Sequence, residues 1–180
     1  MEAKTLTSTD RQLLLYDIFK SCEQISFEEI TSRLPVGRKM IQRDIRMLTD
    51  AGLICVRYSR KDRAYVHSGQ KSVFQESAEG RYRTHLLKLR RIATLMTQLY
   101  MVDDSYYFGD SENVYTCKMC YYDLFPDASE RMRQRDFEQL NRIGYDISYD
   151  NTQRRYFMWE DNGLREDFGV YRENGKLKRI

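Results

Sequence analysis

The chain has 180 residues, 41% hydrophobic and 32% charged, with a formal net charge of +3. That balance excludes a disordered polyampholyte and suits one medium domain or two small ones with real cores. No apolar run approaches the roughly 20 residues of a membrane-spanning helix, and residues 1–10 lack the apolar stretch of a secretion signal, so a cytoplasmic location with no membrane partner is expected.

The charge is unevenly spread. Residues 1–69 hold 12 Lys and Arg against 9 Asp and Glu, residues 70–112 hold 6 against 6, and residues 113–180 hold 12 against 12. The whole positive excess is therefore N-terminal.

Ser8 is placed to cap a first helix whose apolar positions Leu14, Leu15, Ile18 and Phe19 recur at helical spacing as far as Ser21. Ser26-Phe27-Glu28-Glu29 has the Ser-x-x-Glu form of a capping box and opens a short second helix with Phe27, Ile30 and Leu34 on its apolar face, stopped by Pro35. A third helix runs from Gly37 to about Asp50, with Ile41, Ile45 and Leu48 on one side and Gly52 placed to end it. Residues 53–58 and 63–67 read as the two strands of a small hairpin around the charged turn 59–62.

Ser68, Gly69, Ser72, Ser77 and Gly80 give the next stretch the composition of a linker, set at residues 70–83. A further helix is expected from about Thr84, carrying the stripe Leu86, Leu89, Ile92, Ala93, Met96, Leu99 and Tyr100. That stripe is long enough to close a second core or to meet another chain.

The tripeptide Gln42-Arg43-Asp44 recurs as Gln134-Arg135-Asp136, at an offset of 92 residues. The same offset aligns Ile45 with Phe137, Leu48 with Leu140, Gly52 with Gly144, Arg63 with Arg155 and Tyr65 with Phe157. With a hairpin of 145–149 and 155–159 following, residues 84–160 read as a second helix-helix-helix-hairpin unit. Residues 161–180, with Lys176, Lys178 and Arg179 near the end, are left as a C-terminal tail or short strand. The fold class expected is mainly α with small β hairpins (α+β), in two tandem units.

The run Arg38-Lys39-Met40-Ile41-Gln42-Arg43-Asp44-Ile45-Arg46-Met47-Leu48, followed by Ala51-Gly52-Leu53-Ile54, resembles winged helix-turn-helix transcriptional regulators of the DeoR type and the related WYL-domain regulators. Residues 129–158 resemble the end of the same motif. The resemblance covers about 60 residues and implies a third helix that enters the DNA major groove, a homodimer, and association with the nucleoid. Such regulators usually carry a C-terminal ligand-sensing domain, for which no room is expected after residue 160, so the question of a small-molecule effector stays open.

The residues themselves agree with that implication. Lys39, Gln42, Arg43 and Arg46 follow the i, i+3, i+4, i+7 pattern and share one helix face with Arg38, opposite Ile41, Ile45 and Leu48. Arg and Lys neutralise phosphates and pair with guanine, and Gln suits adenine. Arg38, Lys39 and Gln42 are assigned to bases, and Arg43 and Arg46 to the backbone of double-stranded DNA. An ordinary solvated helix face would also be charged, but Arg57, Arg60, Lys61 and Arg63 add a second basic element in or beside the hairpin. Asp44 is read as a structural partner for a nearby Arg.

At the aligned positions of the repeat stand Glu130, Arg131, Gln134, Arg135 and Glu138, a face that sums to zero. Carboxylates repel phosphates, so the second unit is expected to mediate protein contacts, dimerisation above all, or to bind DNA weakly, with Tyr106, Tyr107, Phe108, Tyr115, Tyr121, Tyr122 and Phe125 serving an interface or a core.

Cys117-x-x-Cys120 would need two more ligands to hold zinc, and neither His67, His85 nor another cysteine pair has the usual spacing, so no metal or cofactor is expected. With Cys22 and Cys55 these are read as reduced, mostly buried thiols. No phosphate-binding Gly loop or catalytic constellation around the two histidines argues for an enzyme. Two other readings stay open: a tandem winged-helix replication initiator, which would use both third helices on DNA, and a chromosome-segregation-type interaction module, which would use neither.

Overall fold

The computed structural model describes residues 4–99, 102, 115–152, 154–158 and 170–179. In chain order its elements are β1 (Lys4–Thr5), α1 (Ser8–Ser21), β2 (Gln24–Ser26), α2 (Phe27–Arg33), α3 (Arg38–Asp50), β3 (Val56–Ser59), β4 (Ala64–His67), α4 (Gly80–Gln98), α5 (Cys117–Leu124), α6 (Glu130–Ile143), β5 (Ile147–Asp150), β6 (Arg155–Met158), β7 (Val170–Glu173) and β8 (Lys176–Arg179). This is an α+β chain of helices and small antiparallel hairpins. It divides into two compact units, Met1–Ala93 with Leu164–Ile180, and Thr94–Gly163. No described helix is long and apolar enough to cross a membrane.

In the first unit α1 buries Leu13, Leu14, Leu15, Ile18 and Phe19 and packs on α3, where Ile41 and Leu48 are buried and Ile45 is half-buried. Each such side chain contributes about 1.5–3 kcal/mol on leaving water. The cap of α1 is Thr7, one residue before the expected Ser8. Its hydroxyl accepts the Asp10 amide at 3.3 Å, and its own amide donates to the Asp10 carboxylate at 2.5 Å. That reciprocal pair satisfies two free amides where Ser8 would satisfy one. The box at Ser26 forms as read, Ser26 N donating to Glu29 at 2.7 Å and Glu29 N to the Ser26 hydroxyl at 3.1 Å. These bonds hold the Glu29 carboxyl below its ordinary range.

The hairpin β3–β4 gains a third strand, giving the antiparallel order β2-β4-β3, with Ser26 opposite Ala64 and Gln24 opposite Val66. Three residues are too few for alternation to announce a strand, so the sequence carries no sign of β2.

The expected linker at 70–83 is not one. Gln75 N donates to the Asp50 carbonyl at 2.8 Å, Phe74 forms a β-bridge with Ala51, and Phe74 and Ala78 are buried. Arg83 and Arg90 cover the Phe74 ring, 5.3 and 5.1 Å from its centroid. The polar composition reflects a surface strap pinned by one aromatic anchor. The following helix starts at Gly80, before the expected Thr84, and belongs to the first unit as far as Ala93. The boundary expected at 84 therefore moves ten residues on, to Thr94.

The expected C-terminal tail also returns to the first unit. Its residues β7 and β8 form a hairpin that pairs with β1 in the order β1-β8-β7, and Leu6 N donates to the Leu177 carbonyl at 2.8 Å. The turn is Asn174-Gly175, with φ of 49° and 75°, the two left-handed residues of a type I′ turn.

In the second unit Tyr121 is fully buried and meets Phe125 and Phe137 edge to face, so part of the aromatic run serves a core. Tyr106, Tyr107 and Phe108 lie outside the described residues, as do Tyr100 and Trp159.

The repeat is visible in the elements, with one correction. α3 and α6 start 92 residues apart, but the strands stand 91 apart: β3 against β5, β4 against β6. Arg63 therefore corresponds to Arg154, not Arg155, and Tyr65 to Tyr156, not Phe157. Both arginines are left-handed, φ 50° and 54°, just before the returning strand. The cross-strand pairs Tyr58–Tyr65 and Tyr149–Tyr156 have centroids 5.3 and 5.1 Å apart. The missing residue falls between Gly144 and Ile147, where the first unit has Leu53, Ile54 and Cys55 and the second only Tyr145 and Asp146.

Candidate nucleic-acid interface

α3 turns Ile41, Asp44 and Leu48 inward, and consequently Arg38, Lys39, Gln42, Arg43 and Arg46 outward, all five exposed. Of the four cations only Arg46 has an acidic partner among the described residues, Asp50, at 3.8 Å and with the arginine 84% exposed. So open an ion pair screens little of its charge from an incoming anion. Arg38 is held otherwise, its guanidinium 4.9 Å above the centroid of the Phe27 ring.

Arg57, Arg60, Lys61 and Arg63 of the β3–β4 hairpin are exposed as well. Its turn is closed by Ser59, whose hydroxyl donates to Asp62 at 2.6 Å and accepts the Asp62 amide at 3.3 Å. The one carboxylate of the turn is thus occupied locally and leaves the cations to solvent.

Asp44, the acid within the basic run, is 1% exposed and takes no part in that face. It forms an ion pair with Arg11 of α1, whose second nitrogen donates at 3.0 Å, and accepts the Gln12 amide at 2.9 Å. Gln12 in turn meets His85 Nε2 of α4 at 2.8 Å. Because the Gln12 amide nitrogen must face the carboxylate, its oxygen faces His85, which donates from Nε2. Burial and the Lys88 charge hold the His85 pKa below its ordinary value, against the pull of Asp44. This network fixes how α3 sits on α1.

Two clefts flank the outward face. One, about 380 Å³, is lined by Ser8, Arg11, Gln12, Met40, Arg43, Asp44, Met47 and His85. The other, about 580 Å³, includes Arg43, Arg46, Asp50 and Tyr82. Tyr82 donates to Asp50 at 2.5 Å, and its phenol pKa is pushed up to about 12 by burial and by that carboxylate.

In the second unit Glu130, Arg131, Gln134, Arg135 and Glu138 are also all exposed. Glu130 is tied down: it forms an ion pair with the fully buried Arg133 and accepts the Tyr122 hydroxyl at 2.7 Å, which drives its pKa down to about 2. Arg133, at the position of Ile41, lies between the Phe137 and Tyr156 rings, 4.8 and 4.4 Å from their centroids.

The five α3 residues expected to share one helix face do lie together on its exposed side, and the sequence carries no sign of what orients them. Phe27, apolar by type, also supports the Arg38 guanidinium, and Tyr82, inside the expected linker, bonds to Asp50. The β7–β8 hairpin was missed although Asn-Gly between two short apolar-containing runs is the strongest local hairpin signal. Cys117 and Cys120 are buried on α5, where burial pushes the Cys120 thiol up. Among the described residues no three His, Cys, Asp or Glu side chains are grouped to hold a metal.

Comparison with models of known protein families, with curated proteins and with solved structures gives no match.

Proposed function

We propose that this chain is a sequence-specific, DNA-binding transcriptional regulator built from two tandem winged helix-turn-helix units. The first reads DNA and the second joins two copies into a homodimer. The observation that carries the reading is the outward face of α3, with four exposed cations and Gln42, beside the exposed Arg57, Arg60, Lys61 and Arg63. α3 would lie in the major groove and the β3–β4 hairpin against the backbone or minor groove, with dimer half-sites about one helical turn, roughly 10 base pairs, or a multiple apart. Such a protein would work in the cytoplasm, on the nucleoid.

The test is binding of duplex DNA as a function of salt. Arg43→Ala and Arg46→Ala should each weaken binding to every sequence and flatten the slope of log K against log salt by about 0.9. Full affinity after neutralising the whole face would overturn the proposal.

One observation favours the interaction-module reading for the second unit. Its helix face has two carboxylates, Glu130 and Glu138, where the first has Arg38 and Arg46. That balance attracts a protein surface more readily than a polyanion.

A further inference from the structure

The described side chains of the β7–β8 hairpin are mostly exposed. Arg172, Glu173, Asn174, Gly175 and Lys176 are all exposed, and of the side chains described only Leu177 is buried. A two-stranded hairpin is marginal alone; this one is anchored through β1, where Thr5 pairs with Lys178 and Lys4 with Arg179. The anchor leads straight to the edge of α3. Leu177 is hydrogen-bonded to Leu6, Thr7 caps α1, and Ser8 and Arg11 line one cleft with Met40 and Arg43.

The other hairpin adjoins a different edge. Ser26 pairs with Ala64 of β4, Phe27 follows it, and Phe27 carries the Arg38 guanidinium. The outward face of α3 is therefore approached on its Arg38 side through β2 and β4, and on its Met40–Arg43 side by Ser8 and Arg11, which follow directly on Leu6, the residue bonded to Leu177 of β8. Residues 170–179 contain Arg172, Lys176, Lys178 and Arg179 against one carboxylate, Glu173, which is engaged by Lys178.

We infer that the β7–β8 hairpin is a further phosphate-contacting element, added to α3 and β3–β4, gripping the DNA backbone beside the segment that α3 reads. The inference rests on the DNA-binding reading of α3 and extends the contact beyond it. β1 and the β7–β8 hairpin form this sheet together, so the hairpin is held in place through β1. Exposed cations neutralise phosphates without reading bases, and their contribution is to affinity and salt dependence, not to sequence choice.

The experiment measures binding of the full chain to a set of short duplexes of different sequence, each across a salt series. Arg172→Gln with Lys176→Gln should flatten the slope by about 1.8, twice the single-phosphate value, and leave the ranking of sequences unchanged. Glu173→Gln removes the hairpin's carboxylate and should tighten binding several-fold, a gain that a damaged fold cannot imitate. If the wild-type chain binds with a steep slope while both variants match it, the hairpin contact is refuted and the α3 reading survives. If the wild-type chain shows no salt-dependent binding at all, both fall together.

Discussion

At Gly52 the backbone is left-handed, φ 67°, and an added Cβ would stand 2.8 Å from the Phe74 amide nitrogen and 2.9 Å from the Val73 carbonyl carbon. Neither atom belongs to a side chain that can swing away, so Gly52→Ala combines a conformational cost of about 1–2 kcal/mol with displacement of the strap. A loss of about 3 kcal/mol is expected in urea unfolding; a loss under 1 kcal/mol would mean that residues 73–75 are not held against α3. Arg63 is the opposite case. It occupies the left-handed region at φ 50° with its side chain exposed, so Arg63→Gly should leave stability unchanged or raise it by up to about 1 kcal/mol. The same change should weaken DNA binding and flatten the salt slope by about 0.9. Stability and affinity moving in opposite directions would separate a charge kept for its partner from one kept for the fold. The glycine was legible in the sequence as a helix stop, but its contact with Phe74 was not, because nothing local links residues 22 positions apart.

At the scale of elements, the repeat preserves a scaffold and changes what it carries. α3 and α6 bury an aspartate at matching positions, Asp44 and Asp136, each 1% exposed, but Asp44 answers to Arg11 and Gln12 while Asp136 accepts the Tyr121 hydroxyl at 2.7 Å. Where α3 puts Ile41 into its core, α6 puts Arg133, and the guanidinium is accommodated by two ring faces and Glu130. The capping box, the stripe of α1 and the helix-hairpin order could be read because periodicity and caps are local signals. The one-residue slip between helix and strands could not, since Arg154 and Arg155 are adjacent and either aligns with Arg63. The Glu130 bridge makes a pH prediction. Its folded pKa of about 2 lies below the ordinary carboxylate value of 4.5, so the bridge stabilises the second unit fully above about pH 4.5 and is lost as pH falls toward 2. The carboxylate is 51% exposed, and solvent screening keeps the effect well below what the shift alone implies. In acid titrations followed by circular dichroism, Glu130→Gln should flatten that part of the stability profile. An unchanged profile would mean the pair contributes nothing to the folded state.

For the whole molecule, the division of the chain was only half legible. Two units were expected from the repeat, but a strap read as a linker and a hairpin read as a tail both pack into the first unit, because one Phe in a polar stretch and an Asn-Gly turn outweigh composition. The first unit thereby holds every exposed cation that the DNA reading uses. The second has two cations and two carboxylates at the corresponding exposed helix positions. This asymmetry predicts different outcomes for equivalent substitutions. Arg43→Ala with Arg46→Ala on α3 should cut affinity for a selected DNA site by at least tenfold at physiological salt, about 1.4 kcal/mol. Arg131→Ala with Arg135→Ala on α6 should leave it within about twofold, because the carboxylates Glu130 and Glu138 share that face and disfavour phosphate there. Anisotropy titrations of both double variants, with sedimentation to record the oligomeric state, distinguish the alternatives. Equal losses would make the chain a tandem reader of the initiator kind, with both helices on DNA. No loss from either would make it an interaction module. A dimer broken by surface changes in Thr94–Gly163, with α3 still binding a half-site, would place the symmetry of the complex in the second unit.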